Sequence, residues 1–347
     1  MNDKLKEDIN ERNSSFELLR ILLILMIIAL HYCNANYGGA LGNVEKGSFN
    51  YWIVHFIESA CIVAVNVFVI ITGYFMNDRT EVKIKKVINI VYLTVIWGII
   101  IYIIALFSGK TKISLESFAV FIDTITNRWF VVIYCLLYLL IPYINKFIHT
   151  MNKEQYTVLL SILVCTLYVY STVFKTTVAM VDRGYGIANF IVLYLIGSYI
   201  KIYHDDFKSL SKSIVMYLLC VVCTTLLSNI DTSKAWQYNS IFNLIGSVSL
   251  FFIFKSIKMK NIKVINWLAS YTFSAYIIHE NKFIISNLYK EVFNCTKYYN
   301  RKALIINLGV SVLGIYIICI VAETIRRLIM KKYIDKQINK MEYSIKM

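Results

Sequence analysis

The chain has 347 residues, 36 Lys plus Arg against 21 Asp plus Glu, and a formal charge of +15. An apolar share of 58% with only 16% charged residues leaves too little polar surface for a water-soluble fold, since soluble domains carry about 25% charged residues. One Pro and 13 Gly exclude collagen-like, linker-rich and disordered chains. The sequence therefore reads as an all-α, polytopic helical bundle embedded in a lipid bilayer.

Apolar runs long enough for a spanning helix of about 20 residues lie near 16–35, 51–75, 87–107, 129–148, 157–174, 187–202, 213–229, 240–256, 265–287 and 303–325. That predicts about ten transmembrane helices, with the mixed stretch 113–126 as an interfacial or re-entrant piece. The expected organisation is a cytoplasmic N-terminal segment at 1–15, one membrane domain at 16–326 and a basic cytoplasmic tail at 327–347. No small-residue cleavage site follows the first run, so a cleaved signal peptide is not expected.

The Lys and Arg residues test this count, because cytoplasmic loops carry their excess. With the amino terminus inside, 24 of the 36 fall on the inner side, in groups such as Arg79, Lys83, Lys85 and Lys86, or Lys255, Lys258, Lys260 and Lys263. Adding or removing one helix scrambles that alternation, so both termini are expected in the cytoplasm of a multi-pass cell-membrane protein. The positive charge thus reads as a topology signal, not as a nucleic-acid surface. The eight Cys show neither a disulfide framework nor zinc spacing. Cys220 and Cys223 form a CxxC inside a hydrophobic run, where packing is the expected role.

Ionisable groups inside spanning segments are costly and point by default to function. In the first run Arg20 and His31 are eleven residues apart, a net rotation of about 20°, so they share one helix face about 16.5 Å apart along the axis. Arg20 can be a snorkelling anchor or a ligand contact, and His31 a satisfied buried histidine or a reacting group. The second run, descending from outside, brings Glu58 to a depth like that of His31, with His55 and Asn66 nearby. Near the same depth the ninth run carries His279 and Glu280. A buried carboxylate there must pair with a histidine or be protonated. Three helices delivering His31, Glu58 and His279 to one level point to a reaction centre.

These residues carry a resemblance. Arg20, ten intervening residues and His31 resemble the signature of the membrane acyltransferase family 3, whose members acylate carbohydrates and other acceptors. Val65 through Ile71, closing in Thr72-Gly73-Tyr74-Phe75, is similar to that family's apolar run ending in Ser-Gly-Tyr/Phe. Trp129-Phe130, Tyr134, Leu137-Tyr138-Leu139-Leu140, Pro142 and Asn145 resemble the subgroup from capsule and wall polysaccharide operons. Ser270-Tyr271, Ser274-Ala275-Tyr276 and His279 resemble the family's late serine-tyrosine-histidine helix. Where many members have paired arginines and a third, this chain has Lys85, Lys86 and Asn89. Lysine keeps the charge and loses the forked phosphate geometry.

The resemblance implies an O-acyltransferase moving an acyl group, acetyl being expected, from acyl-CoA (acetyl-CoA) to a hydroxyl of a cell-surface polysaccharide or its lipid-linked precursor. It implies His31 as general base or acyl acceptor, and the shared depth adds Glu58 and His279 as expected catalytic supports. Arg20, with Lys85 and Lys86, would hold the coenzyme; no metal is needed. A carbohydrate hydroxyl needs a base poised near pH 7, which suits histidine. The competing reading is a transporter or flippase of a lipid-linked glycan, with His and Glu as a proton relay. Transporters commonly show internal repeats and helices broken by Gly and Pro, whereas this chain has one Pro and no evident repeat.

Overall fold

The computed structural model describes residues 13–174, 182–330 and 344–346. The expected N-terminal segment up to residue 12 and the tail residues 331–343 and 347 lie outside the described residues. Helix α1, Ser14–Cys33, starts where the Asn13 side chain accepts a hydrogen bond from Ser15 N at 3.1 Å, an N-cap that satisfies one free amide of the first turn. It stops at Asn34, after which the chain doubles back so tightly that a Cβ on Gly38 would sit 2.2 Å from the Tyr32 carbonyl oxygen. Only glycine fits there.

The remaining principal helices follow in order: α2 Phe49–Cys61, α3 Ala64–Met76, α4 Ile84–Phe107, α5 Leu115–Thr126, α6 Trp129–Ile148 and α7 Lys153–Val164. Then come α8 Ile187–Tyr203, α9 Leu210–Ile230, α10 Ile241–Ser256, α11 Lys263–Ala269, α12 Thr272–His279 and α13 Leu304–Met330. Helix α1 is the hub, packed against α2, α3, α10, α11, α12 and α13. Its side chains Leu19, Leu23, Ile24 and Ile28 are buried. By contrast α9 and α13 present Leu219, Leu226, Ile306 and Ile317 outward, the apolar face that a bilayer covers. The tightest pairing joins α3 to α8. A Cβ on Gly73 would lie 2.1 Å from the Tyr194 carbonyl oxygen, and one on Gly197 2.2 Å from that of Ile70. Small residues let the two backbones touch, the usual device where lipid removes any hydrophobic drive between helices.

Among the described residues seven helical stretches are long and apolar enough to cross a membrane, and two shorter apolar helices are Ile187–Tyr203 and Ile241–Ser256. The expected run 265–287 is not one helix. Ser270 turns its hydroxyl back to the Trp267 carbonyl at 2.7 Å, dividing α11 from α12. After His279 the Asn281 side chain accepts from Phe283 N at 3.0 Å. Such local side-chain bonds compete with the helix ladder, and hydropathy does not register them.

The stretch 113–126 forms α5, which folds back along α4, with Gly98 admitting Ile125 beneath it. The chain then breaks at Asn127 and Arg128, whose backbones leave the helical region (Arg128 φ −82°, ψ 90°), before α6 begins. A short strand β1, Glu81–Lys83, pairs antiparallel with β2, Ser344–Lys346. That contact sets the end of the tail beside the basic loop between α3 and α4.

Candidate active site

The face of α1 identified by helical spacing carries both Arg20 and His31, each partly accessible on an otherwise largely buried helix. They head into different surroundings. Arg20 bonds to Glu17 of its own helix at 2.5 Å, an i,i+3 pair. Lys86, at the start of α4, lies with its ammonium 5.9 Å from the centre of the Tyr138 ring on α6, and Lys85 beside it is half-buried.

His31 meets His279. Its Nδ1 is 3.0 Å from His279 Nε2, and His279 Nδ1 is in turn 2.6 Å from the Ala275 carbonyl oxygen. A carbonyl only accepts, so His279 Nδ1 carries the hydrogen and, in the neutral ring, Nε2 holds a lone pair. That lone pair accepts from His31 Nδ1–H. The remaining nitrogen, His31 Nε2, is then an acceptor with a fixed orientation. His279 is fully buried and His31 partly exposed, with Tyr37 packed edge-on against His31 at a ring separation of 5.1 Å.

Glu58 arrives from α2, just before the Ile62–Val63 interruption between α2 and α3. It is buried, its Oε2 finds no hydrogen-bond partner among the described residues, and it bonds to neither histidine. Instead it lies within electrostatic reach of Cys33 on α1 and of Tyr185 and Tyr238. Trp129, Tyr185 and Tyr238 form one aromatic wall, with ring centres 4.7 Å, 5.6 Å and 4.9 Å apart. Carboxylates beside aromatic faces are suited to a polyhydroxylated ligand, whose hydroxyls donate to the former while its C–H faces pack on the latter.

Sequence reasoning passed over Arg128. Its Nη1 lies 3.7 Å from Glu280 Oε2, and its Nε donates to the Thr124 carbonyl at 2.9 Å. The available signal was an arginine immediately preceding an apolar run, two residues after the stretch 113–126 that was expected to be interfacial or re-entrant. Glu280 was visible beside His279, but its partner was not. Both sit next to the dyad, because Glu280 directly follows His279 and Arg128 is within electrostatic reach of that ring.

A family model described as an acyltransferase domain, that of acyltransferase family 3, matches residues 13–324. No curated protein and no solved structure matches. The match spans every helix from α1 into α13, so the histidine pair, Glu58 and the break before α6 all fall within it.

Proposed function

Since the chain belongs to the acyltransferase 3 family, a multi-pass membrane acyltransferase, we propose that it O-acylates a carbohydrate, taking acetyl from acetyl-CoA and delivering it to a cell-surface polysaccharide or its lipid-linked precursor. One observation carries this reading: the ordered chain from the Ala275 carbonyl through His279 to His31, which leaves His31 Nε2 free to take a proton. In the reaction His31 Nε2 removes the hydroxyl proton as that oxygen bonds to the thioester carbonyl carbon. The C–S bond then breaks, and the leaving thiolate takes the proton back from the imidazolium. His279 holds the ring and its tautomer, as an orienting partner does for a general base. Attack by Nε2 itself, giving an acyl-imidazole that the hydroxyl then opens, uses the same atom.

Glu58 is assigned to the acceptor side, where its unpartnered oxygen can receive a sugar hydroxyl. Arg20, about 16.5 Å down the same helix face, and the Lys85–Lys86 pair are assigned to the coenzyme phosphates. The orientation that goes with this has both termini in the cytoplasm. It is supported by the Lys and Arg alternation and by the β1–β2 pairing, which brings the tail to the basic α3–α4 loop.

The test is glycan chemistry. His31→Ala is expected to abolish acylation while the glycan is still made and exported, and His31→Gln, which hydrogen-bonds without basicity, to be equally inactive. Full acylation with His31→Gln would overturn the base or acceptor role. Loss of surface glycan itself, with the remainder fully acylated, would mark a transporter.

A further inference from the structure

Arg128 stands at the outer end of α6, about 30 Å above Ile148 by helical rise, at a depth like that of His31. Its side chain is 5% exposed. Nε is fixed on the Thr124 carbonyl, which sets the plane of the guanidinium, yet neither Nη1 nor Nη2 finds a hydrogen-bond partner among the described residues. Glu280 is near enough to neutralise the charge, but at 3.7 Å it makes no hydrogen bond, and its own Oε2 is also unpartnered. The Tyr276 hydroxyl, buried one helical turn before Glu280, lies beside the Glu280 carboxylate.

A buried ion pair is favourable only with good geometry and completed hydrogen bonds. Here the two terminal nitrogens of a planar fork are held within electrostatic reach of the histidine dyad with their bonding left open, and a phenol lies beside the counterion. A guanidinium fork matches a carboxylate or phosphate in bidentate fashion, and such charge-assisted pairs are about twice as strong as neutral ones.

We propose that Arg128, with the Tyr276 hydroxyl, forms an anion-recognition site beside the histidine dyad that grips a carboxylate or phosphate carried by one of the two substrates. The inference rests on the acyltransferase reading in that the anion then enters with a substrate. Two sources share this chemistry. The charge can lie on the acyl group, as in a dicarboxylic acyl thioester, or on the acceptor, as in a uronic acid or a sugar phosphate. Glu280 is the counterion that keeps the site neutral when empty and yields to the incoming anion.

The experiment uses the full chain in lipid nanodiscs. Binding of succinyl-CoA against acetyl-CoA, and of glucuronate or glucose 6-phosphate against glucose, is measured for wild type, Arg128→Lys, Tyr276→Phe and the charge-neutral double variant Arg128→Gln with Glu280→Gln. The expected result is a preference for the charged member of one set, lost by about tenfold or more in the double variant. Arg128→Lys should retain part of it, and the uncharged member should bind as before. A preference confined to the coenzyme set assigns the anion to the acyl group; one confined to the sugars assigns it to the acceptor. Equal binding of charged and uncharged members by wild type overturns the proposal, as does an equal loss for both in every variant. Tyr276→Phe removes one hydroxyl only, so its loss of charge preference counts even where the Arg128 variants fold poorly. Acyl transfer and its abolition in His31→Ala are read separately, so failure of the acyltransferase reading shows as absent transfer with anion binding intact.

Discussion

The two ends of the bundle differ in how completely they bond their buried ionisable groups. At the end where α1 begins, Glu323 of α13 accepts from Trp97 at 2.9 Å, twice from Arg326 at 2.8 Å, and from Arg327 at 2.8 Å. Arg327 goes on to the Ser270 hydroxyl and carbonyl and stacks over Tyr271 at 4.2 Å. At the His31 end, Glu58, Arg128, Glu280 and Asn281 all keep polar atoms without a hydrogen-bond partner among the described residues. Completed networks hold helices in place, whereas buried groups left open call for a separate explanation. The proposed function supplies one, and with it the same residue type takes two roles: Glu323 in the scaffold and Glu58 in the proposed acceptor site.

The strongest way to break that distinction is at Glu323. Glu323→Ala leaves Arg326 and Trp97 without their acceptor. Breaking a buried pair by removing one partner costs about 3–5 kcal/mol. The expected outcome is a large drop in thermal midpoint and folded yield, with normal turnover per folded molecule. A stable variant with reduced turnover would move Glu323 into the site and erase the contrast between the ends.

His279 comes next, as a positioning residue acting through His31. His279→Ala frees the His31 ring, and misplacement of a reacting group by about 1 Å can lower the rate about a hundredfold. His279→Gln, whose amide oxygen can accept from His31 Nδ1–H, should recover part of that loss. The expected split is a fall in kcat with little change in KM for the acceptor. Equal turnover in both variants and wild type would leave His31 working alone.

How much of this was legible beforehand depends on which geometry a sequence encodes. The shared face of Arg20 and His31 follows from the helical period, so it could be read directly. Depth could be counted too, which brought His31, Glu58 and His279 to one level. Azimuth could not: depth alone gave no way to see that His279 meets His31 at 3.0 Å while Glu58 bonds to neither and lies within electrostatic reach of Tyr185 and Tyr238. Arg128 was hidden for a related reason. It is placed by a helix break at Asn127, and a break between two apolar stretches leaves hydropathy unchanged. The same blindness joined α11, α12 and the chain after His279 into one expected span, where Ser270 and Asn281 interrupt it.

Glu58→Gln sharpens the comparison from the opposite side, because its stability effect should differ in sign from that of Glu323. An unpartnered buried carboxylate is expensive, so the buried acid is held neutral, and the amide replaces its hydroxyl by NH2 at constant shape. The folded protein should be as stable as wild type or slightly more so. Turnover should fall by up to about tenfold through the altered acceptor-hydroxyl bond, an effect of the size one neutral hydrogen bond contributes. Thermal midpoints and initial rates on the same preparations check both signs at once, and a destabilised Gln variant would return Glu58 to the scaffold.

The smallest effect is expected at Asp205, in the loop after α8 at the scaffold end. Burial alone would raise its carboxyl, but Lys201 at 2.8 Å, the Tyr74 hydroxyl and the nearby Lys255 charge outweigh that and hold it below the usual carboxylate range. A carboxylate lowered in the folded state contributes stability that is complete above its unfolded value, about 3.9. That contribution is lost as the pH falls through the lower folded value. Because its side chain is 43% exposed, solvent screening keeps the contribution at the level of a surface pair, under about 1 kcal/mol. The thermal midpoint of wild type should therefore decline slightly more than that of Asp205→Asn between pH 6 and the acid side of that range. Parallel declines would mean that Tyr74 and Lys255, whose ammonium also reaches the Phe207 carbonyl at 3.3 Å, hold this corner without the carboxylate. The scaffold end would then be completed by its backbone carbonyls and not by its charges.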